Sequence, residues 1–153
     1  MDVRPMLEAL VGAWTGTNRL WFMVDTPAHD SAATARVARV AGGFLSLAYT
    51  WAHEGAPQDG LLLLRPTPEG PLAAVWVDSL HTQGAFMTFR GTADAVDRWS
   101  GHGAYAAPDG PDWGWRIQLE PDGRDGFRLA MFNVPPGMGE LLAVDARFRR
   151  AAG

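Results

Sequence analysis

The residues of this chain with the widest chemical range are an aspartate and two of its four histidines. Asp78 shares the alternating phase of Trp76 on an otherwise apolar stretch, His81 follows it three positions later, and His53 falls in phase with Tyr49 and Trp51. A carboxylate beside an imidazole suits general acid–base work such as proton abstraction or isomerisation. Two histidines and one carboxylate also match a facial metal triad. Against both stands a structural account, because aspartate commonly opens turns and histidines at strand ends are often loop residues. Asp78, His53 and His81 are therefore the catalytic candidates, and no metal site is assigned. His29 and His102 fall in turn-like contexts.

Other chemistries are excluded by residue type. The chain has no cysteine, which removes thiolate nucleophiles and cysteine-ligated metals. All 13 basic residues are arginine, so there is no Schiff-base amine and no P-loop lysine. The serines at 31, 46, 79 and 100 include no Gly-x-Ser-x-Gly elbow. Ser79 and His81 share one strand phase and Asp78 the other, so Asp-Ser-x-His is no preassembled triad. Asp122-Gly123-Arg124-Asp125 lacks the ligand set of a calcium loop. The net charge of −4, with scattered arginines, gives no electrostatic footprint for nucleic acid.

The elements that must position these residues are strands. Period-two alternation is plain in Leu45-x-Leu47-x-Tyr49-x-Trp51-x-His53, Trp113-x-Trp115-x-Ile117-x-Leu119, Phe127-x-Leu129-x-Met131-x-Asn133 and Leu142-x-Val144-x-Ala146-x-Phe148. Turn clusters such as Glu54–Gly60, Pro66–Pro71, Pro108–Pro111, Pro121–Gly126 and Pro135–Gly137 separate them, at the spacing of all-β domains. The pattern predicts about ten strands, over approximately 13–22, 34–41, 44–54, 60–65, 72–79, 83–91, 95–105, 113–120, 126–133 and 140–149. Pro5, Met6, Leu7, Ala9 and Leu10 predict one short helix that Gly12 ends. A helix followed by sequential strands points to a single domain over residues 1–153, a meander closed into a barrel with one end plugged. Met1–Leu10 carries Asp2, Arg4 and Glu8 rather than an apolar signal segment, and no apolar run is long enough for a membrane span. The expectation is a cytoplasmic protein with no membrane or nucleic-acid partner.

The opening Leu7-Glu8-Ala9-Leu10-Val11-Gly12-Ala13-Trp14-Thr15-Gly16 resembles the helix-then-Gly-x-Trp start of the calycin barrels, which include lipocalins, fatty-acid-binding proteins and nitrobindins. Gly42-Gly43-Phe44-Leu45, Trp76-Val77-Asp78-Ser79 and Ala146-Arg147-Phe148-Arg149-Arg150 resemble a bacterial lipocalin-like family of unknown function. The resemblance implies a lipocalin-like β-barrel, with Arg147 or Arg149 of the last strand lying across Trp14. The chain departs from these relatives as well. The first two strands are joined too tightly for a helical portal, and no histidine follows His102, where nitrobindins carry their haem ligand.

With the large residues of each strand facing inward, the barrel is lined by Trp51, His53, Trp76, Asp78, Met87, Phe89, Trp113, Trp115, Met131 and Asn133. An aromatic wall with a few polar groups reads as a site for one small apolar or aromatic ligand, and no cofactor is assigned. Three alternatives remain at this point. They are an enzyme using Asp78 and a histidine, a haem protein ligated through His53, His81 or a methionine, and a filled barrel acting through its surface. In the last case Trp21, Phe86, Trp99 and Phe132, on the weaker strand phase, form an outer face for a homodimer.

Overall fold

The computed structural model describes residues 2–23, 25–66, 73–95 and 97–152. A short helix α1 (Arg4–Ala9) precedes ten strands: β1 (Gly12–Leu20), β2 (His29–Val40), β3 (Phe44–His53), β4 (Ala56–Leu64), β5 (Ala74–Asp78), β6 (Met87–Ala95), β7 (Arg98–Tyr105), β8 (Trp113–Pro121), β9 (Gly126–Val134) and β10 (Leu141–Arg150). Each pairs antiparallel with its neighbours in sequence, and β1 pairs with β10 from Trp14↔Arg150 to Leu20↔Val144, closing the barrel. Among the described residues no helix is long and apolar enough to cross a membrane.

Three strands begin well away from the sequence expectation. β2 begins at His29, because His29–Ala33 pair with Gly16–Leu20 of β1. Only a two-residue turn, Glu54 at φ 50° and Gly55 at φ 79°, joins β3 to β4, so His53 faces Ala56 directly. Pro57 thus lies inside a strand, opposite Ala52, rather than in a loop. β6 begins at Met87, and residues 79–84 form a turn. The turn expected at Pro66–Pro71 lies, after Pro66, outside the described residues.

At one end the barrel is sealed. Pro5 lies in the first turn of α1, which buries Met6 and Leu7 alongside Val3 and Leu10. The helix stops at Ala9, and Gly12, at φ 141°, instead opens β1. The Trp14 indole donates to the Leu10 carbonyl at 2.8 Å and meets Phe127 edge-on at 4.8 Å. Phe127 stacks on Phe148 at 4.9 Å. The arginine across Trp14 is Arg150, not Arg147 or Arg149. Its guanidinium lies 4.3 Å from the indole and donates to the carbonyls of Ala9 at 2.7 Å and Val11 at 3.2 Å. Register explains the difference, since Arg150 is the residue opposite Trp14. One side chain thereby adds a cation–π contact and satisfies carbonyls left open where the helix ends.

Trp99 corrects another expectation. It belongs to the core, fully buried beneath Gly91 and Gly101, where a Cβ on Gly101 would come within 2.6 Å of its ring. The inward set of β7 is Trp99, Gly101, Gly103 and Tyr105, and its glycines hide the alternation from an apolar count. Of the other residues assigned to an outer face, Phe86 is exposed, Trp21 is half-buried, and Phe132 is half-buried beneath the Arg116 guanidinium at 4.2 Å.

Gly16 marks the closest backbone approach at the closing seam, because a Cβ there would lie 1.8 Å from the Arg147 carbonyl oxygen. Gly16→Ala is expected to destabilise the barrel by about 1–3 kcal/mol in urea unfolding. Gly43→Ala, with nothing within 4 Å of its added methyl, is expected to stay within about 0.5 kcal/mol of the parent.

Candidate functional site at the barrel mouth

β3 and β5 flank β4, and Gly60 of β4 stands between Tyr49 and Asp78 in register. A Cβ on Gly60 would lie 2.2 Å from the Tyr49 hydroxyl. The missing side chain lets Tyr49 lean across β4 and donate to Asp78 Oδ2 at 2.6 Å, where the Trp51 indole also donates at 3.4 Å. The Tyr49 hydroxyl in turn accepts from the Trp76 indole at 2.8 Å. Asp78 Oδ1 accepts the backbone N–H groups of Leu80 at 2.8 Å and His81 at 2.9 Å. Thr82 completes the turn, its hydroxyl accepting from Asp78 N at 2.9 Å and its N–H donating to Asp78 O at 3.1 Å.

Four donors converge on a carboxylate that is only 3% exposed. That is the arrangement a buried carboxylate requires. Burial, the neighbouring Asp78 charge and the bond to it hold the Tyr49 phenol well above its ordinary pKa, so it remains a donor.

The turn that Asp78 organises carries His81 into the mouth. Its ring stacks on Trp51 at 5.7 Å and lies 5.8 Å from Trp76 and 5.6 Å from Trp115. Trp76 and Trp115 stack on each other at 5.6 Å with an interplanar angle of 10°. Burial lowers the pKa of His81 below the ordinary imidazole value, against a smaller opposing effect of Asp78. Among the described residues, no side chain or backbone group hydrogen-bonds either ring nitrogen of His81.

A cavity of about 390 Å³ opens beside this histidine, lined by Trp76, His81, Thr82, Met87, Tyr105 and Trp115, with Ala85, Phe86 and Ala104 at its margin. It lies where the β6–β7 ladder stops, since pairing begins only at Arg90↔His102 and leaves the mouth-side ends of the two strands unzipped. The barrel centre, by contrast, is filled. The gap between Asn18, Tyr49, Trp51, Asp78, Leu129 and Met131 measures only about 10 Å³, scarcely the space of one water.

The residues assigned to the interior therefore divide into groups. Trp76, Met87 and Trp115 line the open cavity, whereas Trp51, Asp78 and Met131 border the filled centre. Phe89 is buried against Trp76 at 6.2 Å. Asn133 accepts from the Tyr105 hydroxyl at 2.7 Å, and Trp113 lies 6.5 Å from Tyr105. His53 belongs to a separate rim cluster, 5.0 Å from Phe22 and 5.2 Å from His29, with Nε2 3.9 Å from Glu54. Asp78 holds His81 through its backbone N–H, not its ring, and Asp78 makes no hydrogen bond to His53. Among the described residues no three His, Asp or Glu side chains are grouped to hold a metal. Sequence reasoning missed Tyr49, Gly60, Thr82 and Tyr105. Tyr49 had a signal, because an aspartate on a buried phase requires a donor and the tyrosine alternates with Trp51.

Tyr49→Phe strips a donor from Asp78 and the acceptor from Trp76, and is expected to cost on the order of 1–3 kcal/mol for each group left unpaired, read as a lower urea midpoint. Because folding depresses the His81 pKa, the unfolded chain binds the proton more readily below its value of about 6.5. Stability is then fullest above that pH and falls as pH drops toward the folded value. His81→Gln is expected to remove this component of the pH dependence of the urea midpoint.

Comparison with known proteins adds a family and a fold. A search of curated proteins finds no match. Rv2717c from M. tuberculosis has a solved structure that matches with a TM-score of 0.59 at 15% identity, covering 99% of this chain and all of that one. The S-type phycobiliprotein lyase CPES from Guillardia theta matches with a TM-score of 0.62 at 13% identity, covering 100% of this chain and 94% of that one. At such identities the likeness is one of fold. The profile of the family described as "Protein of unknown function (DUF1579)" matches residues 2–150, and the chain belongs to that family.

Proposed function

We propose that this protein is a calycin-like binding barrel that takes a small apolar or aromatic ligand in the cavity at its mouth. The observation that carries this reading is the cavity itself, walled by the stacked Trp76 and Trp115 and bounded by an imidazole with no protein partner among the described residues. That imidazole is part-buried with its ring nitrogens still accessible, so a bound molecule can pair with it. At about 390 Å³ the cavity falls toward the lower end of the range of roughly 300–1,000 Å³ for small-molecule sites, which favours a compact ring system over a long acyl chain. The likeness to a phycobiliprotein lyase supports a ligand-handling role for the barrel. A cytoplasmic location is part of the proposal.

The four donors on Asp78 favour a structural role for that residue, and in this reading ligand orientation falls to His81. Native mass spectrometry of freshly purified protein, matched with a denatured spectrum, tests the reading. A non-covalent adduct is expected in the native spectrum alone, and Ala85→Trp, which adds bulk at the margin of the cavity, is expected to lose it while unfolding at the parent's temperature. An adduct that survives Ala85→Trp puts the ligand elsewhere and overturns the assignment.

A further inference from the structure

The distribution of charge around the mouth bears on what the cavity can hold. The segments joining strands at this end, residues 21–28, 54–55, 79–86, 106–112 and 135–140, carry Asp25, Glu54, Asp109, Asp112 and Glu140 but no arginine, in a chain without lysine. The arginines near this end are committed or turned away. Arg19 pairs with Asp30 at 2.8 Å, Arg116 pairs with Glu140 while lying over Phe132, and Arg90 is an exposed residue of the opposite strand phase to buried Phe89. Among the described residues the cavity lining contains no cationic side chain other than His81, which burial keeps toward its neutral form.

Trp115 is 7% exposed, and its indole N–H, enclosed and without a hydrogen-bond partner, does not reach the cavity surface. The unpartnered polar group on offer is thus the imidazole of His81, able to donate from one nitrogen and accept at the other. It matches a neutral polar group such as an amide, a ring nitrogen or a carbonyl. A carboxylate would lose its hydration here without a fixed cation to replace it, and would approach through an acidic rim.

We infer, resting on the cavity reading above, that the ligand is a compact planar aromatic without negative charge, and that the mouth discriminates against carboxylates carrying the same rings. Calorimetric titration with naphthaleneacetamide and naphthaleneacetate, which share one ring system and differ in charge at neutral pH, tests this. At low ionic strength the amide is expected to bind at least about tenfold more tightly. The gap is expected to narrow with added salt and to close in Ala85→Arg, which places a cation at the cavity margin.

A carboxylate binding as tightly as the amide, or more tightly, overturns the inference and leaves the cavity reading standing. Failure of both probes at millimolar concentration, while the native adduct persists and is lost in Ala85→Trp, overturns the ligand class alone. Failure of both probes with no adduct overturns the cavity reading together with it.

Discussion

The carboxylate of Asp78 fixes the geometry of the mouth. Placed inside a barrel wall, it is tolerable only when its lone pairs are met, and the residues that meet them are drawn into set positions. Tyr49 crosses β4 above Gly60, Trp51 turns its N–H toward the carboxylate and Trp76 toward the Tyr49 hydroxyl, and the chain after β5 folds back to offer two backbone amides. The aromatic floor and the turn carrying His81 are consequences of satisfying one buried charge. A network of this kind rigidifies when complete, which suits residues that must keep a cavity open beside them.

The two ends of the barrel follow from different chemistry. The sealed end joins an apolar helix, Trp14 and two phenylalanines under a single arginine that spans sequence-distant segments. At the other end the strands finish in short turns with acidic residues, and exposed Phe22, Met23, Phe86 and Met138 rise from those connections. The centre between the ends is close-packed, and the cavity described above lies at the mouth, beside the turn that carries His81.

Much of this architecture was legible because the alternation of β3, β8, β9 and β10 is strong and their punctuation regular. Where it misled, glycine was the common reason. Gly101 and Gly103 left the inward phase of β7 without side chains to count, which sent Trp99 to the wrong face, and Gly60 read as a turn residue when its role was to make room for a hydroxyl. The inward phase of Asp78 was readable from Trp76, but its partners were not, because Tyr49 lies 29 residues away and reaches it across an intervening strand. The cavity was legible only in part: Trp76, Met87 and Trp115 came from strand phase, whereas Thr82, Ala85 and Phe86 come from a connection that no periodicity describes.

Closing a sheet into a barrel removes the free edges that would otherwise invite another chain to add a strand, and this barrel relaxes that pairing at its mouth, along the β6–β7 seam among others. Beyond Arg90 and His102, Met87–Phe89 and Gly103–Tyr105 have no ladder partner across the seam. The interruption is three residues deep, about half the length of the six- or seven-residue segments that template cross-β stacking. Each flank remains paired on its far side, to β5 and to β8. Thr88 and Gly103 still approach closely, a Cβ on Gly103 meeting the Thr88 carbonyl oxygen at 2.8 Å, so the lapse is too short and too tight to act as an edge for self-association.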